Sequence, residues 1–358
     1  MMTEKRAAIL TYHHADNLGA VLQAYALQQT LKQLGVSPSI LDYRCDEVEK
    51  TRHVQPGGGW KGMAKRIPMT LYYKLKSRGF SRFRRENLAL SPKYLPGELE
   101  QCAKDYDLFI TGSDQVFNLE CSGWDYSYFL DFLPEGAKKY SYAASIGNAV
   151  YSPEERVRVK EALSSFSGVS VRENSGARQL AQLGVEARVH PDPVLLLSRE
   201  EWLSLAAPRL CKKDYVFVYR IQPDVHVDAA AQAYARKHGK KVIYNKKSPE
   251  FILHSSPAEF LSWILYADCV FTNSFHGTAF SLLLGKPLAA DIVLKNGGVN
   301  NRVKELLESC GCENCVLDPN CAEPELPEAS EAIGGMKQTA ISYLRSCCEG
   351  FAQNEGVL

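Results

Sequence analysis

No run in this 358-residue sequence approaches the ~18 consecutive apolar residues that would span a bilayer. Charge of one sign is missing too. The 42 basic and 41 acidic residues leave a formal charge of +1. A protein built to coat nucleic acid carries a large positive surplus, so no nucleic acid is expected as the main partner. The opening Met1-Met2-Thr3-Glu4-Lys5-Arg6 leads into only four apolar residues, 7–10, before polar Tyr12-His13-His14. That is too short for the core of a secretory signal. Cysteine is plentiful but odd in number, at 11. An odd count in a large chain argues against a secreted disulfide framework and suits reduced thiols. The expected compartment is the cytoplasm. The sequence also lacks a repeat of solenoid period and a G-x-G-x-x-G turn, so neither a solenoid nor a dinucleotide site is supported.

What is present is ordinary globular material, 45% hydrophobic and 23% charged. At roughly 150 residues per domain the length suggests two domains. Short apolar runs at residues 7–10, 39–43, 106–111 and 139–144 read as strands separated by helical spacing. Gly35 sits where a helix ending near Leu34 needs a left-handed residue. Three capping boxes, beginning at Ser152, Ser198 and Ser256, each place a glutamate three positions on. Further strands are expected at 168–173, 215–219, 241–244, 269–272 and 287–291, then helices near 301–308 and 331–348. Alternation in both halves predicts an α/β protein with two Rossmann-like, doubly wound domains. The boundaries fall at 1–197, 198–330 and a C-terminal helix and tail, 331–358. Ligands in such folds bind beyond the carboxyl ends of the strands.

The balanced charge is unevenly placed. Residues 60–86 carry nine Lys or Arg and one acid, and residues 305–358 carry ten acids and two bases. The basic stretch also holds Trp60, Met63, Ile67, Leu71, Leu75, Phe80 and Phe83 at helical spacing. An acidic partner, a membrane surface met through 61–85, or a solvated face explains it. Cys310, Cys312, Cys315 and Cys321 lack the paired C-x2-C spacing of structural zinc sites, so buried thiols are expected and no metal. Adjacent His13 and His14 are a weak metal signal.

The most informative segment is Asn273-Ser274-Phe275-His276-Gly277-Thr278, between a strand and a helix. A helix N-terminus favours an anion. Ser274 and Thr278 offer hydroxyls, Gly277 allows close backbone approach, and His276 supplies an imidazole, the side chain best suited to moving protons. The plain alternative is a capped helix with a hydrogen-bonded histidine. Arg172 ends a strand and reads equally as a bidentate anion ligand or as an ion pair with Glu173. Arg302 opens a helix, where a cation opposes the dipole, which favours a ligand role. Asn17 and Gly19 in the first strand-to-helix turn, Ser113 and Asp114 in another, and Asp192 in His190-Pro191-Asp192-Pro193 complete the candidate cleft residues.

Several of these segments, taken in order, resemble the polysaccharide pyruvyl transferase family. They are Ile9-Leu10-Thr11-Tyr12-His13, residues 17–27, Thr111-Gly112-Ser113-Asp114-Gln115-Val116, Ser145-Ile146-Gly147, Val169-Ser170-Val171-Arg172-Glu173, His190-Pro191-Asp192-Pro193, residues 274–280 and Asn301-Arg302. The resemblance implies a GT-B-like pair of Rossmann domains with an interdomain cleft, the first on the acceptor side and the second on the donor side. It implies transfer of pyruvyl from phosphoenolpyruvate to a sugar of a surface or cell-wall polysaccharide or its precursor, forming a ketal, with no cofactor. It assigns His276 as acid/base and Arg172 as a donor-binding arginine. Ser274, Gly277, Thr278 and Arg302 would complete the donor site; Asn17, Gly19, Ser113, Asp114 and Asp192 would face the acceptor. The implied partner is a glycan or lipid-linked glycan at the inner face of the membrane, with a homo-oligomer possible. Many members carry arginine two residues before the histidine, where this sequence has Ser274. That departure keeps two alternatives in view: a GT-B glycosyltransferase using a nucleotide sugar, and a degenerate non-catalytic sugar-binding protein.

Overall fold

A computed structural model describes residues 4–48, 60–293, 300–318 and 323–349, with side chains from residue 74 onward in the helix Trp60–Asn87. The chain divides into two compact units. The first comprises residues 1–55, 84–197 and 336–358, and the second residues 56–83 and 198–335.

The first unit is built on a five-stranded sheet in the order β3-β2-β1-β4-β5. Its strands are β1 (Arg6–Leu10), β2 (Ser37–Tyr43), β3 (Leu90–Tyr94), β4 (Leu108–Thr111) and β5 (Lys139–Ser141). All neighbouring pairs are parallel. A two-stranded piece, β6 (Ser170–Val171) and β7 (Arg188–Val189), is tied beside β5 through bridges at Tyr140–Gly168 and Ala144–Val171. The apolar run 7–10 forms the central strand because helices cover both faces, so no polar face is tolerated. Ala7 and Ile9 pack with Ala24, Leu27 and Leu31 of the helix Leu18–Gln33; Ala8 and Leu10 join the cluster on the other face.

The second unit repeats the principle with four parallel strands, β8 (Tyr215–Tyr219), β9 (Lys241–Tyr244), β10 (Cys269–Thr272) and β11 (Leu288–Ala290), in the order β11-β10-β8-β9. Val216 and Val218 face Val227, Ala231 and Ala235 of the helix Val225–Lys237. Phe217, between them in sequence, turns to the opposite face and meets Phe251, Phe260 and Trp263. In each sheet the strand order reverses once, between β1 and β4 and between β8 and β10. In open sheets of this kind the carboxyl ends beside such a reversal are where ligands bind.

The three capping boxes form as the sequence indicates, with both reciprocal bonds present at Ser152/Glu155, Ser198/Glu201 and Ser256/Glu259. The unit boundaries differ from the sequence expectation in two places. Residues 56–83 group with the second unit; at Gly79 an added Cβ would lie 3.1 Å from the Ser256 Cβ, so the helix packs closely there. The C-terminal helix, Ser330–Glu349, enters the first unit from residue 336 instead of standing apart as a tail. The reason is an apolar stripe, Ala340, Tyr343, Leu344, Cys347 and Cys348, which joins the Ile9 core, while the Tyr343 hydroxyl donates to the Ser141 carbonyl at 3.0 Å.

Candidate functional site

In the second unit every strand ends on a polar residue one position beyond its last member: Arg220 after β8, Asn245 after β9, Asn273 after β10 and Asp291 after β11. All four are buried. Asn245 accepts from the Arg220 N–H at 3.2 Å and donates to the Arg220 carbonyl at 2.9 Å, which joins two strand ends with one amide. The Arg220 guanidinium pairs with Asp228 at 3.0 Å. Sequence reasoning left Arg220, Asn245 and Asp291 outside the site. The signal that finds them is the rule already used for Ser274: a polar residue directly after an apolar strand.

Beyond Asn273 the chain turns into the helix Phe275–Leu284. Ser274 is its cap, its Oγ accepting from the Gly277 N–H at 3.3 Å. His276 is the second helical residue and is half-buried, its ring edge-on to Phe275. Gly277 is required by the protein's own packing. An added Cβ would overlap the Thr272 hydroxyl and come within 3.0 Å of the Tyr219 ring. The Thr278 hydroxyl is buried and donates to the Ser274 carbonyl at 3.0 Å. Thr278 thereby ties the first helical turn back to its cap. Arg302 lies in the first turn of the helix Asn301–Ser309. Asn300, just before that helix, donates from Nδ2 to the Asn273 carbonyl at 3.3 Å, so this helix start adjoins the His276 turn.

The first-unit candidates also converge, into a closed network. Arg172 donates from Nε to Glu173 at 3.0 Å and from Nη1 to Asp192 at 2.6 Å, with its side chain only 2% exposed. Burial opposes its charge, but the two carboxylates beside it raise its pKa further above the usual arginine value. The ion-pair alternative is thus the one realised, and Asp192 is turned inward to the pair and not presented to solvent. Asp192 also caps the turn Pro193–Leu196 by accepting from the Val194 N–H. Ser113 donates to the Ala143 carbonyl at 2.6 Å, and its hydroxyl lies 3.4 Å from Asp192. Gln23 accepts from the Ser113 N–H, and Ser145 donates to Glu173. Asn17 spends its side chain capping the helix Leu18–Gln33, accepting from Gly19 and Ala20. Asp114 is half-buried with a left-handed backbone, φ 43°.

His13 is fully buried and bonds Asp42 at 2.9 Å through Nε2. Burial works against the Asp42 charge, but hydrogen bonds from His13 and Arg44 prevail and hold the carboxyl well below its usual range. Cys310, Cys312 and Cys315 are buried thiols whose pKa values burial raises, to about 12 for Cys310 and Cys315. Cys321 lies outside the described residues. Among the described residues no group of three His, Cys, Asp or Glu is arranged to hold a metal ion. Nor is any helix among them long and apolar enough to cross a membrane.

The model of the polysaccharide pyruvyl transferase family matches residues 17–290, about three quarters of the chain and all the strand-end residues above up to Ala290. The chain belongs to that family. Its reaction is accordingly of the pyruvyl-transfer type, on a polysaccharide or its precursor, and its acceptor is of the glycan class. No curated protein matches the sequence. Similar solved structures include a UDP-GlcNAc 2-epimerase from Neisseria meningitidis bound to UDP-GlcNAc, 10% identical, covering 96% of this chain and 99% of that one at a TM-score of 0.45. A putative UDP-N-acetylglucosamine 2-epimerase from Listeria monocytogenes is 9% identical, covering 98% of both chains at 0.49. An Anabaena protein in complex with UDP-glucose is 11% identical, covering 95% and 99% at 0.44.

Proposed function

We propose that this pyruvyl transferase takes its pyruvyl group from phosphoenolpyruvate at the Ser274–Gly277 turn, with His276 moving the protons. The observation that supports this reading is a half-buried imidazole on the first turn of a ten-residue helix, beside the sheet's crossover point. The donor carries a carboxylate and a phosphate, which suit a helix N-terminus with an arginine, Arg302, on the neighbouring helix start. Transfer adds a proton to the methylene carbon, and one sugar hydroxyl oxygen bonds to C2. A second hydroxyl oxygen of the same sugar then displaces phosphate at C2 and closes the ketal. Of the two hydroxyl protons lost, one balances the new methyl group and the other leaves with phosphate. A histidine near the reacting carbon serves both transfers. Amides and cations fixed around the departing phosphate stabilise its developing charge.

The acceptor in this reading is a glycan diol, free or lipid-linked, met in the cytoplasm. The helix Trp60–Asn87, with nine basic residues between 61 and 85, would hold the protein near anionic lipid. Sedimentation with anionic vesicles at low and high salt tests this contact; no binding at either salt would remove it.

The donor is tested without knowing the acceptor. Ligand binding stabilises a fold by about 2.7 kcal/mol at a hundredfold excess over Kd. Thermal melting should rise with phosphoenolpyruvate and stay level with a panel of nucleotide sugars. A shift with a nucleotide sugar alone would overturn the donor assignment.

A further inference from the structure

Asn273 makes three side-chain hydrogen bonds at the edge of the second sheet. Its Oδ1 accepts from the Ile221 N–H at 3.0 Å. Its Nδ2 donates to the Gln222 carbonyl at 3.3 Å and to Asp224 Oδ2 at 3.1 Å. Its own carbonyl accepts from Asn300. One residue thus ties the loop after β8, the end of β10 and the start of the helix Asn301–Ser309. The very next residue is Ser274, cap of the His276 helix.

Asp224 is held as firmly. Its Oδ1 accepts from the backbone of His226 and Val227, which anchors its carboxyl at the start of the helix Val225–Lys237. Its neighbour Asp291 is 6% exposed, receives the Val293 N–H on Oδ1, and donates its own N–H to the Thr272 carbonyl. Burial first, and Asp224 second, keep Asp291 above the usual carboxylate range. Arg220 also reaches this loop, its Nη1 donating to the Asp224 carbonyl at 3.1 Å.

We propose that Asn273 is the positioning residue of the His276 turn and that its hydrogen bond to Asp224, itself anchored by the backbone of His226 and Val227, is what holds it. The proposal rests on the reading of that turn as the donor site. Only an amide meets the requirement at 273, because the position must accept from Ile221 and donate to Asp224 with one planar group. A carboxylate there would face Asp224 with no hydrogen to offer. At 224 the requirement is a second oxygen that accepts from Asn273 while the first caps the helix.

Three proteins test this: wild type, Asn273→Asp and Asp224→Ser, the last keeping a hydroxyl to cap the helix Val225–Lys237 while withdrawing the second oxygen from Asn273. Amide hydrogen exchange over residues 270–280 reads the order of the turn, calorimetric titration with phosphoenolpyruvate reads its use, and thermal melting controls for the fold. Asn273→Asp and Asp224→Ser should exchange faster across 273–278 and bind phosphoenolpyruvate at least tenfold more weakly. Wild-type exchange and affinity in Asn273→Asp would overturn the positioning role. Wild-type exchange and affinity in Asp224→Ser would overturn the part given to Asp224. Should wild type itself fail to bind phosphoenolpyruvate, the donor reading falls, and the exchange rates still decide the lock.

Discussion

The carboxyl edges of the two sheets solve the same problem with different chemistry. In the first unit the strand ends meet through charge, with Arg172 between Glu173 and Asp192 and all three side chains at most 3% exposed. In the second unit the strand ends meet chiefly through amides, Asn245 reading the Arg220 backbone and Asn273 reading residues 221 and 222. An amide donates and accepts without a net charge, so it joins two loops at small desolvation cost. A buried ion pair is costly to desolvate and costlier to break. The first edge is therefore closed and rigid, while the second leaves a half-buried histidine on a helix start. That contrast assigns stability to one edge and chemistry to the other, and each assignment can be broken.

The largest effect is expected at the charged edge. Arg172→Met removes the cation that pairs with both Glu173 and Asp192 and leaves two buried carboxylates without it. The loss should be about 3–5 kcal/mol, read by urea denaturation. An Arg172→Met protein as stable as wild type but unable to bind phosphoenolpyruvate would reverse the comparison, making Arg172 the donor arginine that the family resemblance implies. At the second edge His276→Gln should behave the opposite way. Its stability should stay within about 0.5 kcal/mol, because the residue is half-buried and not a core group. Its kcat for phosphate release with a glycan diol should fall by ~10²-fold or more. Wild-type turnover in the folded variant would remove His276 from the mechanism.

How far these edges were legible in the sequence follows from the range of the interactions. Local signals were read correctly: the capping boxes need only a serine and a glutamate three apart, and Gly35 closes its helix with a φ of 82°. The apolar runs located nine of the eleven described strands to within a few residues, and the rule about strand ends pointed to the His276 turn; β3 and β7 were missed because Leu90–Tyr94 and Arg188–Val189 carry no apolar run. The partner of Arg172 was not legible in full. Glu173 is adjacent, but Asp192 is twenty residues away and is delivered by the pairing of β6 with β7. The bond from the Thr278 hydroxyl to the Ser274 carbonyl was not legible either, because a threonine four residues after a cap returns its hydroxyl to the cap carbonyl through a helical contact that composition does not announce. The last helix was expected at 331–348, but the face it buries against the first sheet's core was not, because that partner is far away in sequence.

A smaller effect separates the edges by pH. His190, one residue beyond β7, accepts or donates at Ser170 Oγ over 2.8 Å and lies against the Tyr343 ring. Burial, with Arg188 nearby, pushes its pKa down to about 4. The unfolded chain, with histidine near 6.5, takes up a proton that the folded chain refuses. Stability is therefore complete above pH 6.5 and declines as pH falls towards 4, by roughly 2–3 kcal/mol. His190→Gln should reduce the difference in melting temperature between pH 7 and pH 4.5. An unchanged difference would show that another group carries the acid sensitivity.

The smallest effect bears on the second edge itself. Ser274 stands where many family members have arginine, and its hydroxyl accepts from the Gly277 N–H at 3.3 Å. Ser274→Ala removes that bond, at a cost of about 1 kcal/mol in melting or denaturant stability. The consequence for the donor is less obvious. If the hydroxyl only caps the helix, its removal releases the Gly277 N–H towards a bound anion, which takes over the role of the cap. Phosphoenolpyruvate should then bind Ser274→Ala as tightly as wild type or a few times more tightly, and ligand should restore part of the lost stability. If instead the hydroxyl donates to the donor's phosphate, affinity falls with stability and added ligand restores nothing. Titration of both proteins with phosphoenolpyruvate separates the cases. A tenfold loss of affinity in Ser274→Ala would make the serine a working substitute for the family's arginine, and the second edge would then hold its ligand through side chains as well as backbone.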